Sequence, residues 1–151
     1  MAEKSQDRRT RYTLMVIREA FFKLLREKGF EKITVTDVCR EANINRGTFY
    51  LHYVDKYDLL NAMIDEALDA SPPLEEPTLA TMCQRPPAND DYQLLYSNNE
   101  IFSRVAERVI ERGAEEGVPA LMEQTGLDEQ DARLLFIFSA HGNLADRKSV
   151  V

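Results

Sequence analysis

The first thirty residues carry apolar side chains at the spacing of one helix face. The stripe consists of Leu14, Ile17, Ala20, Phe21, Leu24 and Leu25. Because positions three and four apart lie above one another on a helix, this pattern predicts an amphipathic helix packed against a core. The helix should begin near Arg11 and end at Gly29, a residue type that favours the left-handed conformation found just after helices.

Two short helices should follow, each opened by a side chain that caps it. Thr34 at the N-cap and Asp37 three residues later form an aspartate version of the capping box, so we expect a second helix over about 35–42. Asn43 and Ile44 then make a tight turn. Asn45 can cap a third, short helix, because its side-chain oxygen can accept a hydrogen bond from the first helical turn.

A fourth helix begins after Asp55, another capping residue, and its apolar positions again repeat every three to four residues. These positions are Leu59, Leu60, Met63, Ile64, Ala67 and Leu68. The sequence Ser71-Pro72-Pro73 ends the helix, since proline interrupts helical hydrogen bonding. Five of the six prolines fall within residues 71–91, which predicts linkers around at most one short helical turn at 78–83.

Helical periodicity resumes at Tyr92 and continues to about Gly113, where glycines weaken it. Pro119 then opens another short helix, which Gly126 closes, and Asp128 caps a last one. No segment shows the sustained alternation of a strand, and no Asn-Gly hairpin signal occurs. The pattern predicts an all-α fold, in which a three-helix head with a helix-turn-helix is joined by the fourth helix to a C-terminal helical bundle.

Charge is divided unevenly along this 151-residue chain, whose formal net charge is −7. Residues 1–56 carry 12 lysines and arginines against 8 acidic residues, whereas residues 57–151 carry 7 against 18. A mildly basic head on an acidic body is the asymmetry expected when only the head approaches a polyanion such as DNA.

Cysteine, histidine and hydropathy patterns bear on cofactors and location. Cys39 and Cys83 are isolated from each other and from His52 and His141, so zinc-ligand spacing is absent. We expect two reduced cysteines, no metal and no other cofactor. The longest apolar run, 134–138, is far shorter than the roughly 20 residues of a membrane span, and the N-terminus shows no secretory signal. These patterns predict a cytoplasmic protein.

The segment 33–60 combines two short helices, a tight turn between them, and a second helix that opens on small and polar residues, as in a helix-turn-helix. Its sequence, ITVTDVCREANINRGTFYLHYVDKYDLL, closely resembles the head of the TetR family, and the resemblance covers about residues 10–70. Asn43 replaces the usual turn glycine, Asn45 the usual serine cap and Tyr53 the usual phenylalanine. Because asparagine tolerates a left-handed backbone, we expect the turn to be preserved.

The resemblance implies a transcription regulator that binds double-stranded operator DNA with its third helix in the major groove. The candidate contact residues are Thr34, Thr36, Asn45, Arg46, Gly47, Thr48, Tyr50, His52 and Lys56. Arg46 can donate two hydrogen bonds to a guanine, with a phosphate contact or a solvated cation as the alternative. Gly47 allows close approach to the duplex. Tyr50 and His52 are implied phosphate contacts or else half-buried packing residues, and Lys56 can reach a phosphate beside a helix N-terminus.

For the body, the resemblance implies a homodimer whose DNA affinity is modulated by a small molecule. Residues 1–55 would be the DNA-binding domain and residues 56–151 the effector-binding and dimerisation domain, in which segments 92–96 and 136–142 look like a Firmicutes subgroup. Candidates for an effector cavity are Tyr92, Tyr96, Phe102, Met122 and Phe136, although apolar and aromatic residues of this kind more often belong to a plain core. Candidates for the dimer interface are Leu134, Ile137, Phe138 and His141. Members of the resembled family continue past this point with further helix, whereas the tail from Asp146 has no helical stripe, so we expect a shortened or frame-shifted C-terminus.

Two alternatives stay open at this point. The body could bind a protein partner instead of a small ligand, which would make the chain a TetR-like coregulator. An enzyme is disfavoured, because the two histidines are far apart and no glycine-rich phosphate loop or nucleophile motif is present. The sequence does not distinguish a repressor from an activator.

Overall fold

The computed structural model describes residues 2–70 and 89–147, with the side chains of residues 7–70, 89–115 and 117–140. All regular structure in these residues is helical, which confirms the predicted all-α class. The helices are α1 (Ala2–Lys28), α2 (Val35–Glu41), α3 (Arg46–Tyr50), α4 (Lys56–Ala70), α5 (Asp90–Ser97), α6 (Phe102–Thr125) and α7 (Glu129–Arg147). None of these described helices has an apolar stretch of membrane-spanning length. The predicted helical turn at 78–83 lies outside the described residues.

Helix α1 is longer than predicted. It begins at Ala2 instead of near Arg11, and it ends before Gly29 as expected. Its early turns consist of polar residues without an apolar stripe, so periodicity could not detect them; an ion pair of 2.9 Å joins Asp7 to Arg11 one turn later. Gly29 has a φ of 75°, and its N–H donates to the carbonyl of Leu25, which is the left-handed helix end that favours glycine.

Aromatic side chains from α1, the following loop and α3 contribute to the core of the N-terminal region. Phe21 contacts Phe22 and Phe30 edge-on, with ring centroids 5.4 and 6.4 Å apart, and Phe49 of α3 is fully buried. Buried aliphatic residues here are Ile17, Leu24, Leu25, Ile33, Val38, Leu59 and Leu60. Burying each such side chain contributes roughly 1.5–3 kcal/mol, so even the very short α3 is held by packing and does not depend on its own helical stability.

The backbone separates into two compact units. The first consists of Met1–Met63 with Asn98–Ile101, and the second of Ile64–Ser97 with Phe102–Val151. Within the first unit, the turn before α6 lies beside the end of α1, where a carboxylate oxygen of Glu100 accepts a hydrogen bond from the N–H of Glu31 at 3.2 Å. A Cβ on Gly29 would lie 2.9 Å from that carboxylate, so this contact is a second reason for glycine at the position.

Helices α6 and α7 pack along each other in the second unit. Their shared apolar cluster consists of Ile110, Ala114, Val118, Ala132, Phe136 and Ala140. Phe136 is its largest member, and Gly113 leaves room for the ring, since a Cβ there would lie 3.3 Å from it. Small residues on one helix therefore complement a large ring on the other.

The predicted interruption of α6 is wrong. Phe102–Thr125 is a single helix with Pro119 inside it, instead of one helix that weakens at Gly113 and a second that starts at the proline. An interior proline removes a backbone hydrogen bond and costs about 3 kcal/mol. Packing offsets this cost, because Val118 is buried in the α6–α7 cluster and Met122, one turn later, packs against it. Local propensity is thus overridden by tertiary contacts.

The start of α7 lies where the sequence predicts it, whereas its end does not. Gly126 closes α6 with a φ of 72°, and the carboxylate of Asp128 accepts a hydrogen bond from the N–H of Asp131 at 2.9 Å, which confirms the cap. The helix then continues through Asp146 to Arg147, beyond the last apolar repeat that the sequence offered.

Two arginines of α6 pair with the C-terminal half of α4 inside the second unit. Arg108 donates two hydrogen bonds to Asp65, Nε to Oδ1 at 2.7 Å and Nη2 to Oδ2 at 2.6 Å. Arg112 donates to Asp69, one turn further along both helices. Paired guanidinium and carboxylate groups of this geometry are the directional kind of ion pair, so they fix the register of the two helices.

Candidate nucleic-acid interface

The N-terminus of α2 is closed by the predicted capping box. The Thr34 hydroxyl donates to Oδ2 of Asp37 at 2.6 Å and accepts from the Asp37 N–H at 3.1 Å, while the Thr34 N–H donates to the same carboxylate at 3.0 Å. Asp37 also pairs with Lys28 and Arg40, each at 2.7 Å. The Lys28 ammonium and then the Thr34 hydroxyl hold the pKa of Asp37 well below its usual value. Thr34 was predicted to touch DNA, and its hydroxyl is engaged in this cap.

The turn between α2 and α3 adopts the conformation expected from its asparagine. Asn43 has a φ of 53°, so the prediction of a left-handed residue here is confirmed. The N–H of Asn43 donates to the carbonyl of Arg40, and the N–H of Ile44 donates to the carbonyl of Cys39 at 2.9 Å. These bonds satisfy the last carbonyls of α2 and bring the chain directly to the start of α3.

Asn45 caps α3 as predicted. Its Oδ1 accepts hydrogen bonds from the N–H of Thr48 at 2.7 Å and from the Thr48 hydroxyl at 3.1 Å. A Cβ on Gly47 would lie 3.1 Å from this capping oxygen, a tight contact. A side chain at position 47 would therefore crowd the cap, which is a structural reason for glycine there. The close approach to a duplex for which Gly47 was predicted is a separate, functional reason. Thr48 is likewise engaged by its own helix.

A single buried aromatic side chain attaches α3 to the first unit. Phe49 is fully buried, and its ring meets Tyr50 edge-on and Tyr53 at a tilt, both with centroids 5.6 Å apart. The opposite side of this five-residue helix is open to solvent, including Asn45 and Arg46. The helix thus presents polar residues outward on an apolar anchor.

The predicted contact residues occupy three neighbouring segments of the chain. They lie at the start of α2, along α3 and the turn after it, and at the start of α4. Five of them, Thr34, Thr36, Asn45, Arg46 and Gly47, are exposed, and so is about half of Tyr50. The other three, Thr48, His52 and Lys56, are half-buried. All nine therefore have at least part of their surface accessible.

Arg46 and Tyr50 form a pair on the exposed side of α3. The Arg46 Nη2 donates to the Tyr50 hydroxyl at 3.1 Å, and the guanidinium carbon lies 5.9 Å from the ring centroid, at the outer limit of a cation–π contact. The hydrogen bond from the guanidinium to Tyr50 raises the pKa of Arg46. The Arg46 guanidinium is charged at any physiological pH with or without this bond. The pair therefore matters for the position of the guanidinium and not for its charge.

Lys56 has partners that the sequence did not suggest. Its ammonium donates to the carbonyls of Phe30 at 3.2 Å and Glu31 at 3.1 Å, and it lies 4.7 Å from the centroid of the Phe30 ring and 5.4 Å from that of Tyr57. Lys56 therefore ties the first turn of α4 to the loop between α1 and α2. Its predicted contact with a phosphate stays a prediction, and a third ammonium hydrogen is available for it.

Sequence reasoning missed two apolar side chains beside the candidate contacts. Leu51, which follows α3, is 81% exposed, and Val54, just before α4, is 79% exposed. Neither belongs to the apolar stripe of a neighbouring helix, and this mismatch was the available signal. If α3 entered a major groove, apolar groups in these positions would be suited to contact the methyl group of thymine.

The candidate effector residues are distributed along the second unit. Phe136 is buried and Met122 half-buried in the α6–α7 cluster. Tyr92 of α5 is buried, and Tyr96 and Phe102 are half-buried. The effector cavity stays a prediction.

The candidate dimer residues on α7 divide between two environments. Ile137 is half-buried against the α6–α7 cluster, whereas Leu134 is 60% and Phe138 80% exposed. Leu135, which was not predicted, is 40% exposed. The side chain of His141 lies outside the described part of the chain. α7 thus has one face in its own core and a second, apolar face in solvent.

Within the described residues, no group of three histidine, cysteine or acidic side chains is arranged to hold a metal ion. Cys39 is a buried free thiol whose pKa is raised by burial. Cys83 lies outside the described residues.

Comparison with known proteins bears directly on this region. Residues 17–63 match the family model for bacterial regulatory proteins of the tetR family. The matched span runs from within α1 to within α4 and so includes the capped α2, the asparagine turn and α3.

Individual relatives differ in identity and in how much of the chain they cover. An uncharacterised HTH-type transcriptional regulator of Bacillus subtilis, YxbF, is 42% identical over 66 residues, which are 43% of this chain but only 17% of that protein's length. The solved structure of Salmonella enterica GusR has a TM-score of 0.51 at 19% identity, covering 87% of this chain and 81% of that one. A fatty acid degradation regulator, FadR, of Bacillus halodurans has a TM-score of 0.49 at 16% identity, covering 92% and 87%. The likeness to GusR supports the fold of the chain.

Proposed function

We propose that the protein is a cytoplasmic transcription regulator that binds operator DNA by inserting the start of α3 into the major groove. The observation that carries this proposal is the exposed, capped and polar first turn of α3 above the buried Phe49. A helix presented in this way can place its N-terminal side chains at base edges. The TetR-family match over residues 17–63 supports the same assignment.

Side chains on the exposed turn and on the neighbouring segments fit different roles in DNA binding. Arg46 can donate two parallel hydrogen bonds to O6 and N7 of a guanine, the commonest base-specific contact. Thr36 on α2, His52 after α3 and Lys56 on α4 are placed at segment ends where the sugar-phosphate backbone would pass. Residues 1–56 have a net positive charge of 4, so the electrostatic attraction to phosphate is located in the same region.

The apolar face of α7 supports a homodimer as the DNA-binding form. Leu134 and Phe138 are one helical turn apart and both largely exposed, as is part of Leu135. A second copy of the same helix would bury these side chains by a two-fold arrangement. Two heads would then meet two half-sites about one duplex turn apart, which predicts a palindromic operator.

Modulation by a small effector is the remaining part of the proposal, with residues 56–151 as the effector and dimerisation domain. A ligand that bound the second unit better at one spacing of the heads would alter DNA affinity by shifting that equilibrium. The exposed α7 face also favours a second candidate, a coregulator that binds a different protein there. Sedimentation of the chain alone separates the two: a dimer supports the regulator, and a stable monomer supports the coregulator. The enzyme alternative gains no support from the named relative, a transcriptional regulator.

Selection of duplexes from a random pool by the full chain tests the function. We expect enrichment of a palindrome whose half-site centres lie about 10 base pairs apart. With Arg46→Ala, preference at one base pair of each half-site should fall by about 1–3 kcal/mol, while affinity for random duplex changes little. No enriched sequence with the wild type, or equal weakening on enriched and random DNA with the variant, would contradict the proposal.

A further inference from the structure

Tyr50 lies one helical turn after Arg46 and accepts a hydrogen bond from its guanidinium. The distance from Arg46 Nη2 to the Tyr50 hydroxyl oxygen is 3.1 Å. Both side chains are exposed, and Tyr50 keeps about half of its surface in solvent. An exposed arginine ordinarily samples many rotamers, so a partner on its own helix narrows its range.

The position of the Tyr50 hydroxyl is itself determined by the core. Its ring meets the fully buried Phe49 ring edge-on, at 5.6 Å between centroids and 89° between planes. Phe49 also contacts Tyr53 after the helix. A chain of contacts therefore leads from the core, through the Tyr50 ring, to the Arg46 guanidinium.

We infer that Tyr50 is a positioning residue that orients the Arg46 guanidinium for base recognition, and thereby determines sequence specificity. This inference rests on the proposed function, because it assigns how Arg46 acts within the same site. A guanidinium has five N–H donors, and the hydrogen bond to Tyr50 uses one, so two others can still meet a guanine. Ordering the side chain before binding lowers the entropy lost when the complex forms.

This role differs from the phosphate contact that the resemblance implies for Tyr50. A tyrosine that binds phosphate acts independently of Arg46 and affects all sequences alike. A tyrosine that positions Arg46 affects only the sequences that Arg46 distinguishes, and it has no effect once Arg46 is absent. The two roles therefore predict different coupling between the residues.

The test is a double-mutant cycle on the full chain with Tyr50→Phe, Arg46→Ala and the combined variant. Tyr50→Phe keeps the ring that packs on Phe49 and removes only the hydroxyl. The probes are the duplex that the wild type selects from a random pool and a random duplex of equal length. We expect Tyr50→Phe to reduce the ratio of the two affinities about 10-fold, with unchanged affinity for random DNA and an unchanged salt slope. The combined variant should match Arg46→Ala.

Tyr12→Phe, the same chemical change at an exposed position of α1, is the matched control and should leave the affinity ratio unchanged. Effects of Tyr50→Phe and Arg46→Ala that simply add would overturn the positioning role. Equal weakening of both duplexes by Tyr50→Phe would overturn it too and would identify an independent phosphate contact. Selection of duplexes by the wild type is done before the mutant cycle. A wild type that selects no sequence would overturn both the proposed function and the positioning role, whereas a wild type that selects a sequence leaves only the positioning role to be decided by the cycle.

Discussion

The two units present different kinds of surface to solvent. On the first turn of α3 in the first unit, the exposed side chains are polar or charged and are held by neighbours: Asn45 by its cap to Thr48, and Arg46 by Tyr50. On α7 in the second unit, large apolar side chains are exposed, with Leu134 and Phe138 mostly in solvent. An ordered polar surface suits a charged, hydrated partner such as DNA, whereas an apolar one gains stability by being covered.

The polar groups of the two units are also secured over different distances along the chain. In the first unit the bonds that shape the starts of α2 and α3 span three or four residues, as in Thr34 with Asp37 and Arg46 with Tyr50, whereas Lys56 reaches carbonyls 25 and 26 residues away. In the second unit, Arg108 reaches Asp65 on another helix. The caps and the Arg46–Tyr50 pair are therefore encoded in one short segment, while the ion pairs of the second unit depend on how separate helices pack.

Loss of a core ring should have the largest effect, and it should differ between the units. Phe49→Ala and Phe136→Ala each remove a buried ring and should cost about 3–5 kcal/mol, a large part of a typical 5–15 kcal/mol stability. Only Phe49→Ala should abolish binding to random duplex, because α3 loses its attachment. Thermal unfolding by circular dichroism and duplex binding at low temperature would measure both effects.

Phe49→Leu provides the control, since it keeps most of the volume and should retain both fold and DNA binding. If Phe136→Ala removed binding to random duplex as completely as Phe49→Ala, DNA binding would depend equally on both units, and its assignment to the first unit would be wrong.

Acid should weaken the first unit through Asp37. Hydrogen bonds from Lys28 and Thr34 depress its pKa in the folded state, so the carboxylate contributes stability above the unfolded value of about 3.9 and loses it as pH falls further. Asp37→Asn should therefore destabilise the protein by about 1–2 kcal/mol at neutral pH. This difference from wild type should shrink as the pH is lowered below about 4.

Chemical unfolding at several pH values would measure this dependence. Asp7→Asn removes one exposed carboxylate from α1, and its effect should stay below about 0.5 kcal/mol. If the stability difference between Asp37→Asn and wild type were the same at pH 7 and pH 3, the charge of the Asp37 carboxylate would not contribute to stability. The effect would then come only from the hydrogen-bonding geometry of the cap.

The first unit was predictable because its signals are local. The capping box at Thr34, the left-handed Asn43 and the Asn45 cap each depend on atoms within a few residues, and all three were confirmed. What the sequence could not supply were the contacts made across the chain. Lys56 binds carbonyls 25 and 26 residues away, and this pairing has no sequence signature.

The errors have the same origin. The single helix α6 was predicted as two because Pro119 is unfavourable locally, and the packing against α7 that offsets it is not visible in the sequence. The early part of α1 was missed for the opposite reason, since a polar helix without an apolar stripe gives no periodicity. Which apolar residues of α7 face its own core also depended on packing.

The smallest expected effect concerns Lys56, whose predicted contact with phosphate can be measured separately from its bonds to the loop carbonyls. Lys56→Met keeps the aliphatic stem but removes the ammonium that binds the Phe30 and Glu31 carbonyls. If the same ammonium neutralises a phosphate, affinity should fall equally for selected and random duplexes, and the slope of log affinity against log salt should decrease by about 0.9. Loss of the carbonyl contacts should lower the melting temperature by a few degrees, about 4–8 °C per kcal/mol in a unit of this size.

The two readouts respond to different contacts, so they can be interpreted independently. Lys32→Met is the control, because Lys32 is an exposed lysine of the same loop and its removal changes the charge without touching those carbonyls. A lower melting temperature with an unchanged salt slope would make Lys56 a structural link between α4 and the loop. That result would withdraw Lys56 from the DNA contacts while leaving the case for Arg46 and Tyr50 intact, since theirs rests on α3 alone.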